Sequence, residues 1–339
     1  MTRADVCAGI LWVGATAYAL FGGADFGGGF WDLVAGGAER GERPRAAIQR
    51  SLTPVWEANH VWLIFILVVL WTAFPPAFSA VMTTLYVPLA LAAVGIVLRG
   101  SGFAFRKSIE SLGGRRVAGA TFAISSLLTP FFMGAVVGAV ADGNVPAGGD
   151  GDPFSSWLQP LPLLTGAMFV ATGAYLAAVF LVGDARRAGD EEMQRYFARR
   201  ALAAAAAAGI AAAFGLVELH AETRYVFDRL VHEGLPLVVV SALCGIGVLA
   251  VLLAAARRAA APRSRLLRPL AAAAVVAVIW GWGVAQFPYL LPTSLTISGA
   301  AAPPDTLATV IVVFLFAAVL VLPALGLLYW LSQKELLEE

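Results

Sequence analysis

Three acidic residues fall inside apolar segments of this 339-residue chain, where ionisable side chains are costly and by default mark a functional pathway. Asp25 lies in the glycine-rich stretch LFGGADFGGGF (residues 20–30), and Asp32 follows near the end of the same segment. Glu57 opens the next apolar segment within PVWEANHVWL (residues 54–63). Because a carboxyl group partly removed from water can both accept and release protons, Asp25 and Glu57 are candidate proton-relay groups.

The glycines around Asp25 predict a close helix contact. Gly22 and Gly29 lie three residues before and four residues after Asp25, so the three residues share one helix face. We expect leucine at either glycine to weaken assembly with a partner or to displace Asp25, because small residues let helices approach closely. Two simpler interpretations stay open: Asp25 caps a kink in the helix, and Asp32 is an interfacial acid whose carboxylate reaches the membrane surface.

A second polar cluster surrounds Glu57. Glu57 and His60 are three residues apart and share a helix face, and Asn59 lies beside His60. Glu-x-x-His is also the ligand spacing of di-iron bundles, but the motif occurs once in the sequence, so no metal site is predicted. His60 is the single histidine inside an apolar segment. Haem ligation by His60 and a histidine with ordinary hydrogen bonds at a helix start both stay open, whereas binding of several haems is not expected.

Arginines close the third apolar segment. Arg99 and Arg106 flank the stretch GSGFAF (residues 100–105). These arginines either pair with the intramembrane acids or set the membrane topology. The sequence contains no G-x-S-x-G motif, no P-loop and no dinucleotide-binding fingerprint, so it offers no nucleophile or phosphate signature.

The composition indicates the class of protein in which these residues must be positioned. Hydrophobic residues make up 60% of the chain, charged residues 13%, and the mean hydropathy is +0.80. A soluble domain would carry about 25% charged residues, so a soluble globular protein is excluded, and so is a disordered chain. The net charge of +1 gives no basic surface for nucleic acid. Cys7 and Cys244 form no metal-binding pattern.

Apolar segments of bilayer length predict an all-α integral membrane protein with nine spans in a single polytopic domain, 1–339. The approximate cores are 6–33, 55–74, 78–98, 117–141, 160–182, 201–217, 235–255, 267–287 and 307–331. We expect the first of them to be a membrane span rather than a cleaved signal, since it lacks a basic start. The connections 142–159 and 299–306 are too short to fold as separate domains.

The distribution of basic residues predicts the orientation of these spans. All but three of the 23 Lys and Arg residues lie after odd-numbered spans or in the C-terminal tail; the exceptions are Arg3, Arg224 and Arg229. The positive-inside rule then places the N-terminus outside and the C-terminus in the cytoplasm. His220 and His232 fall in the external connection 218–234.

These features together resemble subunit II of the cytochrome bd-type quinol oxidases. The resemblance is carried by the glycine-rich acidic first span and by residues 54–63, and it extends through Arg99 and Arg106. Weaker matches follow at residues 286–298 and in the closing span. The sequence differs from the usual motifs of that family in two places. Gly22 stands where an aspartate is usual, and in the tryptophan motif Glu57, Ala58 and His60 replace the usual aspartate, glycine, and glutamine or glutamate.

The resemblance implies nine spans, arranged as two four-helix bundles plus one peripheral helix in the bacterial plasma membrane. It also implies a haem-bearing subunit I that holds two b-type haems and one d-type haem, with no haem held by this chain, and it allows a small accessory subunit. The complex would oxidise quinol and reduce dioxygen, and this subunit would contribute a cytoplasmic proton path, oxygen access or a quinone site. A proton-coupled secondary transporter that uses Asp25 and Glu57 is the alternative that the residues leave open.

Overall fold

Long apolar segments must satisfy their backbone hydrogen bonds internally, and helices are the simplest way to do so. The computed structural model describes residues 1–37, 39–52, 56–108, 112–257 and 265–333, and these ranges are mostly helical. The helices are α1 (Arg3–Ala17), α2 (Gly23–Leu33), α3 (Glu42–Leu52), α4 (Trp56–Ala73), α5 (Pro75–Thr84), α6 (Tyr86–Ser108), α7 (Leu112–Ala141), α8 (Pro160–Arg187), α9 (Glu191–Glu222), α10 (Arg224–His232), α11 (Leu235–Arg257), α12 (Leu267–Gln286) and α13 (Pro304–Gln333).

Seven helical segments in the described ranges are long and apolar enough to cross a membrane, or eight if the bent pair α4 and α5 forms one span. The chain is therefore an all-α membrane protein. The bend between α4 and α5 is 119°, and α5 opens with Pro75 and Pro76, whose rings disfavour helical continuation from the preceding turn. The apolar part of α6, Tyr86–Gly102, is shorter than the other spans.

The segment 78–98, expected as one span core, is divided between two helices. α5 ends at Thr84, and α6 begins at Tyr86. Pro88 explains the break, because in a continuous helix its ring would clash with the carbonyl of Thr84, four residues earlier.

The first span is continuous from Arg3 to Leu33 but contains an irregular turn. Residues Tyr18–Gly22 form a π-helical turn between α1 and α2. Single π-helical turns within α-helices occur frequently at functional sites. This turn ends three residues before Asp25, so it changes the rotation of α2 relative to α1 at that point.

α8 is the most enclosed span, because α2, α7 and α9 pack around it. Its residues from Ala174 to Val179 are all buried. α9 then starts at a helix cap, where the backbone N–H of Met193 donates to the Asp190 carboxylate over 3.0 Å. This hydrogen bond holds the pKa of the Asp190 carboxyl below its usual range.

The ends of the spans opposite the arginine-rich connections are joined by a small irregular layer. A hairpin of β1 (Tyr289–Leu291) and β2 (Leu295–Thr296) lies between α12 and α13. The Ser294 hydroxyl donates to the carbonyl of Val145 over 3.3 Å, which links the hairpin to the segment 142–159. The expected connection 218–234 contains the end of α9 and the whole of α10.

Candidate functional site

A buried ion pair connects the first span to α6. An Arg99 Nη2 donates to Oδ1 of Asp25 over 2.7 Å and to the backbone carbonyl of the same residue over 3.1 Å. Asp25 is 2% exposed and Arg99 is 1% exposed. Taking two charges out of water is costly, and such a pair is retained only where geometry and further hydrogen bonds compensate.

Those further contacts come from α2 and α7. The Arg99 guanidinium lies 4.8 Å from the ring centre of Phe26 and 4.5 Å from that of Phe122. Its Nη1 donates to the hydroxyl of Ser126, which in turn donates to the carbonyl of Phe122 over 2.6 Å. Aromatic faces stabilise a desolvated cation, so the arginine is held by charge, by hydrogen bonds and by ring contacts.

Small residues bring α6 against α7 at this arginine. Gly95 and Gly102 lie four residues before and three residues after Arg99, on the same face of α6. A Cβ at Gly95 would lie 2.4 Å from the Thr129 hydroxyl, and a Cβ at Gly102 would lie 2.9 Å from the Ala118 carbonyl. A side chain at Gly102 would press on the α7 backbone, and one at Gly95 would displace the Thr129 side chain, so both glycines allow α6 to lie close to α7 beside Arg99.

Tyr18 of the first span and His60 of α4 are polar neighbours of the Asp25 carboxylate. Oδ2 of Asp25 is buried and has no hydrogen-bond partner among the described residues, and the same holds for the hydroxyl of Tyr18 in the π-helical turn. Both Tyr18 and His60 interact electrostatically with Asp25. The His60 ring meets the Phe26 ring edge to face, with 6.3 Å between centroids.

The structure therefore brings together three of the residues singled out from the sequence: Asp25, His60 and Arg99. Pairing of Arg99 with an intramembrane acid is the first of the two roles considered for it. The side chains of Glu57, Asn59 and Arg106 lie outside the described part of the chain, although α4 and α6 include their backbone positions.

Asp32 is buried within the chain near the end of α2. It is 4% exposed, and Nε of Arg45 on α3 lies 3.7 Å from its Oδ1. Arg45 also donates to the carbonyls of Gly36 and Gly37, so it fastens the loop between α2 and α3 over this acid.

The glycines near Asp25 make three different contacts. A Cβ at Gly29 would lie 2.1 Å from the Ser126 hydroxyl, whereas a Cβ at Gly22 would meet the ring of Tyr18 in the same span at 2.8 Å. The tightest helix contact is at Gly27, where a Cβ would lie 1.9 Å from the carbonyl oxygen of Gly173 on α8. Sequence reasoning missed this crossing, although the spacing of Gly23 and Gly27 is the G-x-x-x-G pattern of close helix packing.

Three further site residues were also missed: Tyr18, Phe122 and Ser126. The available signal was the polar sequence Ser125, Ser126 and Thr129 within an otherwise apolar span. Hydroxyl groups in a span can bond their own helix backbone, so this signal alone does not identify a partner.

The other two histidines lie on α9 and α10 and make contacts within those helices and between them. His220 packs against Phe227 with 4.7 Å between ring centroids, and Nδ1 of His232 lies 2.6 Å from the Asp228 carbonyl oxygen, both far along the chain from His60. Within the described ranges no group of three or more His, Cys, Asp or Glu side chains is arranged to hold a metal ion.

The fold and this site define a multi-spanning helical membrane protein with an enclosed charge pair. Its sequence matches the family described as cytochrome bd terminal oxidase subunit II over residues 4–332, and the chain belongs to that family. This confirms the resemblance drawn from the motifs.

Two relatives of similar sequence are both second subunits of cytochrome bd oxidases. Subunit 2 of the cytochrome bd-I ubiquinol oxidase of Escherichia coli K12 is 28% identical over 187 residues, which cover 52% of this chain and 48% of that protein. Subunit 2 of a Bacillus subtilis cytochrome bd ubiquinol oxidase is 29% identical over 112 residues, covering 33% of this chain and 32% of the relative. These alignments span half or less of the relatives' length.

A solved structure, the bd oxidase from Geobacillus thermodenitrificans, contains a chain that superposes with a TM-score of 0.81 at 25% identity. The superposition covers 98% of each chain. The similarity of fold therefore extends well beyond the parts aligned by sequence.

Proposed function

We propose that this chain is the second subunit of a cytochrome bd-type oxidase of aerobic respiration, which oxidises quinol and reduces dioxygen to water. The observation that carries the proposal is the family match over residues 4–332. The complex lies in the bacterial plasma membrane and is electrogenic, and the chain crosses it nine times as two four-helix bundles plus one peripheral helix. The alternative of a proton-coupled transporter is not favoured by the family match.

The haems of this complex belong to a partner, subunit I, which holds two b-type haems and one d-type haem. The small number of histidines in this chain fits that division, because His60 alone among the three lies inside an apolar segment. Chemistry on oxygen and quinol therefore takes place in the partner, and the isolated chain is not catalytic.

This chain supplies a proton path into the complex. α4 carries Glu57 at its start and His60 one turn later, and the His60 ring packs on Phe26 beside Asp25. The unbonded Oδ2 of Asp25 accepts a proton at the end of this series, while Arg99 holds the other oxygen in place. Glu57, His60 and Asp25 thus form a relay that begins at the arginine-rich side of the membrane.

Substitution of Glu57 tests the relay in the purified complex. Glu57→Gln keeps the shape and hydrogen-bonding capacity of the side chain but cannot carry a proton. We expect normal haem content in the partner and a loss of quinol oxidase turnover on the order of tenfold or more. Glu57→Asp should retain much of the rate, because it keeps the carboxyl group.

Glu191→Gln is the matched control, because Glu191 is an exposed acid in the first turn of α9. It should leave turnover unchanged. Wild-type turnover in an assembled Glu57→Gln complex would remove Glu57 from the proton path. Loss of the haem partner in Glu57→Gln would instead indicate a structural role.

A further inference from the structure

The hydroxyl of Tyr18 is a polar group of the charge-pair site that has no role in the relay of Glu57, His60 and Asp25. Tyr18 opens the π-helical turn of the first span, and its hydroxyl is buried with no hydrogen-bond partner among the described residues. The same is true of Oδ2, the second carboxylate oxygen of Asp25. Enclosing polar atoms without partners is costly, so two such atoms at one site require a physical reason.

Gly22 allows the Tyr18 ring to lie along the helix between Tyr18 and Asp25. It follows Tyr18 by four residues and precedes Asp25 by three. A Cβ at Gly22 would lie 2.8 Å from Cε2 of the tyrosine ring, 2.9 Å from Cδ2 and 3.5 Å from Cζ. The ring therefore occupies the space of a side chain at residue 22. Its hydroxyl, carried on Cζ, interacts electrostatically with both Asp25 and Arg99, which places it beside the ion pair.

The groups near the Asp25 carboxylate differ in the hydrogen bonds that they can make. Arg99 on α6 is a donor only, so it stabilises the charged carboxylate but cannot accept a hydrogen bond from the protonated acid. The hydroxyl of Ser126 on α7 is already engaged by Arg99 and by the carbonyl of Phe122. His60 on α4 is the group that delivers the proton in the proposed relay. A tyrosine hydroxyl both donates and accepts, so it suits the charged and the protonated state of the acid.

We propose that Tyr18 is a positioning residue of the proton relay, with its hydroxyl as the hydrogen-bond partner of Oδ2 of Asp25. The two oxygens are not bonded in the structure, so a side-chain rotation of Tyr18 brings them together. The hydroxyl donates to Oδ2 while the carboxylate is charged. When a proton arrives on Oδ2, the new O–H donates to the tyrosine oxygen, and Tyr18 keeps its own proton throughout. This role rests on the proposed relay and adds to it a group that stabilises the protonated acid.

The test uses the purified two-subunit complex and the variant Tyr18→Phe, which keeps the ring against Gly22 and removes only the hydroxyl. Haem content, quinol oxidase turnover and the infrared C=O stretching band that Asp25 gives on protonation are measured on the same preparations. We expect normal haem content and a fall in turnover of about two- to tenfold, the effect of one lost hydrogen bond. The C=O frequency should rise, because the protonated acid loses its acceptor.

Two further variants make the result specific. Asp25→Leu/Arg99→Met identifies the Asp25 band by its loss, since neither member of the ion pair is then left unpaired. Tyr196→Phe is the matched control, because the Tyr196 hydroxyl is also buried but lies on α9, which contributes no residue to the site. It should leave both the band and turnover unchanged.

The outcomes separate the role of Tyr18 from the relay itself. An unchanged Asp25 band, full turnover or loss of haem in Tyr18→Phe would overturn the role of Tyr18 and leave the relay in place. An equal effect of Tyr196→Phe would do so as well. If the wild type gave no Asp25 band, Asp25 would carry no proton, and the relay would be overturned together with this role.

Discussion

At the scale of single residues, the enclosure of Arg99 explains why neither member of its ion pair can be exchanged alone. The guanidinium is held by Asp25, by Ser126 and between the rings of Phe26 and Phe122. Removing one partner of a buried pair leaves an uncompensated charge, whereas replacing both by apolar residues of similar size is often neutral. The contribution of Asp25 to stability can therefore be separated by mutation from its role in proton transfer.

We expect Asp25→Leu and Arg99→Met each to destabilise the complex by about 3 to 5 kcal/mol, because each leaves a buried charge unpaired. The double variant should recover most of the thermal midpoint. Quinol oxidase turnover should stay low in the double variant, since the acceptor of the relay is still missing. Thermal unfolding and turnover are measured on the same preparations.

Two results would contradict this assignment. Additive losses in the double variant would mean that the two side chains do not stabilise each other. Full turnover in a stable double variant would leave Asp25 with a structural role alone.

The sequence allowed the charged members of the site to be predicted, because a charge in an apolar segment is conspicuous. It did not allow their neighbours to be predicted. Phe122 and Ser126 are residue types common in spanning helices, and their role depends on which face of α7 meets Arg99. That information lies in the packing of α6 on α7 at Gly95 and Gly102 rather than in local spacing.

At the scale of elements, the contact of α2 with α8 at Gly27 fixes where Asp25 is placed. The backbone carbonyl of Gly173 lies where a Cβ on residue 27 would have to be placed. One turn later, the indole N–H of Trp31 donates to the Ala174 carbonyl over 2.8 Å. The two helices can approach this closely only because Gly27 and Gly173 both lack side chains.

Gly27→Ala should therefore destabilise the complex by about 1 to 3 kcal/mol, since one added methyl group must separate the two backbones. Gly9→Ala is the matched control, because Gly9 lies in α1 of the same span and a Cβ there would meet nothing within 4 Å. It should be neutral or stabilising by up to about 1 kcal/mol, as alanine is the better helix former. The thermal midpoints of both variants measure the difference, and equal midpoints would show that α2 and α8 do not depend on this contact.

Helix positions were easier to predict than helix breaks. Long apolar runs identified most of the spans, since lipid solvation requires such runs. The division at Leu85 was missed because hydrophobicity continues through it, although Pro88 is the physical cause. The π-helical turn at Tyr18–Gly22 has no comparable local signal in its five residues.

At the scale of the whole molecule, burial is strongly uneven among the spans. In the most apolar 18 residues of α13 none is buried, against 61% of those in α8. α9 and α11 are almost as exposed as α13. An exposed apolar surface of this extent requires lipid or a partner subunit around it, which agrees with a chain that works within a membrane complex.

Membrane topology is the prediction that concerns the whole chain. α8 has 28 residues and is about 42 Å long, more than the roughly 30 Å of the hydrocarbon core. Ala147 precedes α8 and Ala188 follows it, and both side chains are exposed. If α8 crosses the membrane, the two positions must lie on opposite sides, and the positive-inside rule places Ala147 outside.

Single cysteines at these two positions measure the orientation, in a chain whose native Cys7 and Cys244 are replaced by alanine. A membrane-impermeant thiol reagent added to intact cells should label Ala147→Cys, and Ala188→Cys should react only after the membrane is opened. Labelling of Ala188→Cys alone in intact cells would show that the orientation is the opposite of the expected one. Labelling of both in intact cells would mean that α8 does not cross. Since the proposed relay starts at the cytoplasmic side, the reversed orientation would also leave Glu57 on the wrong side to collect its protons.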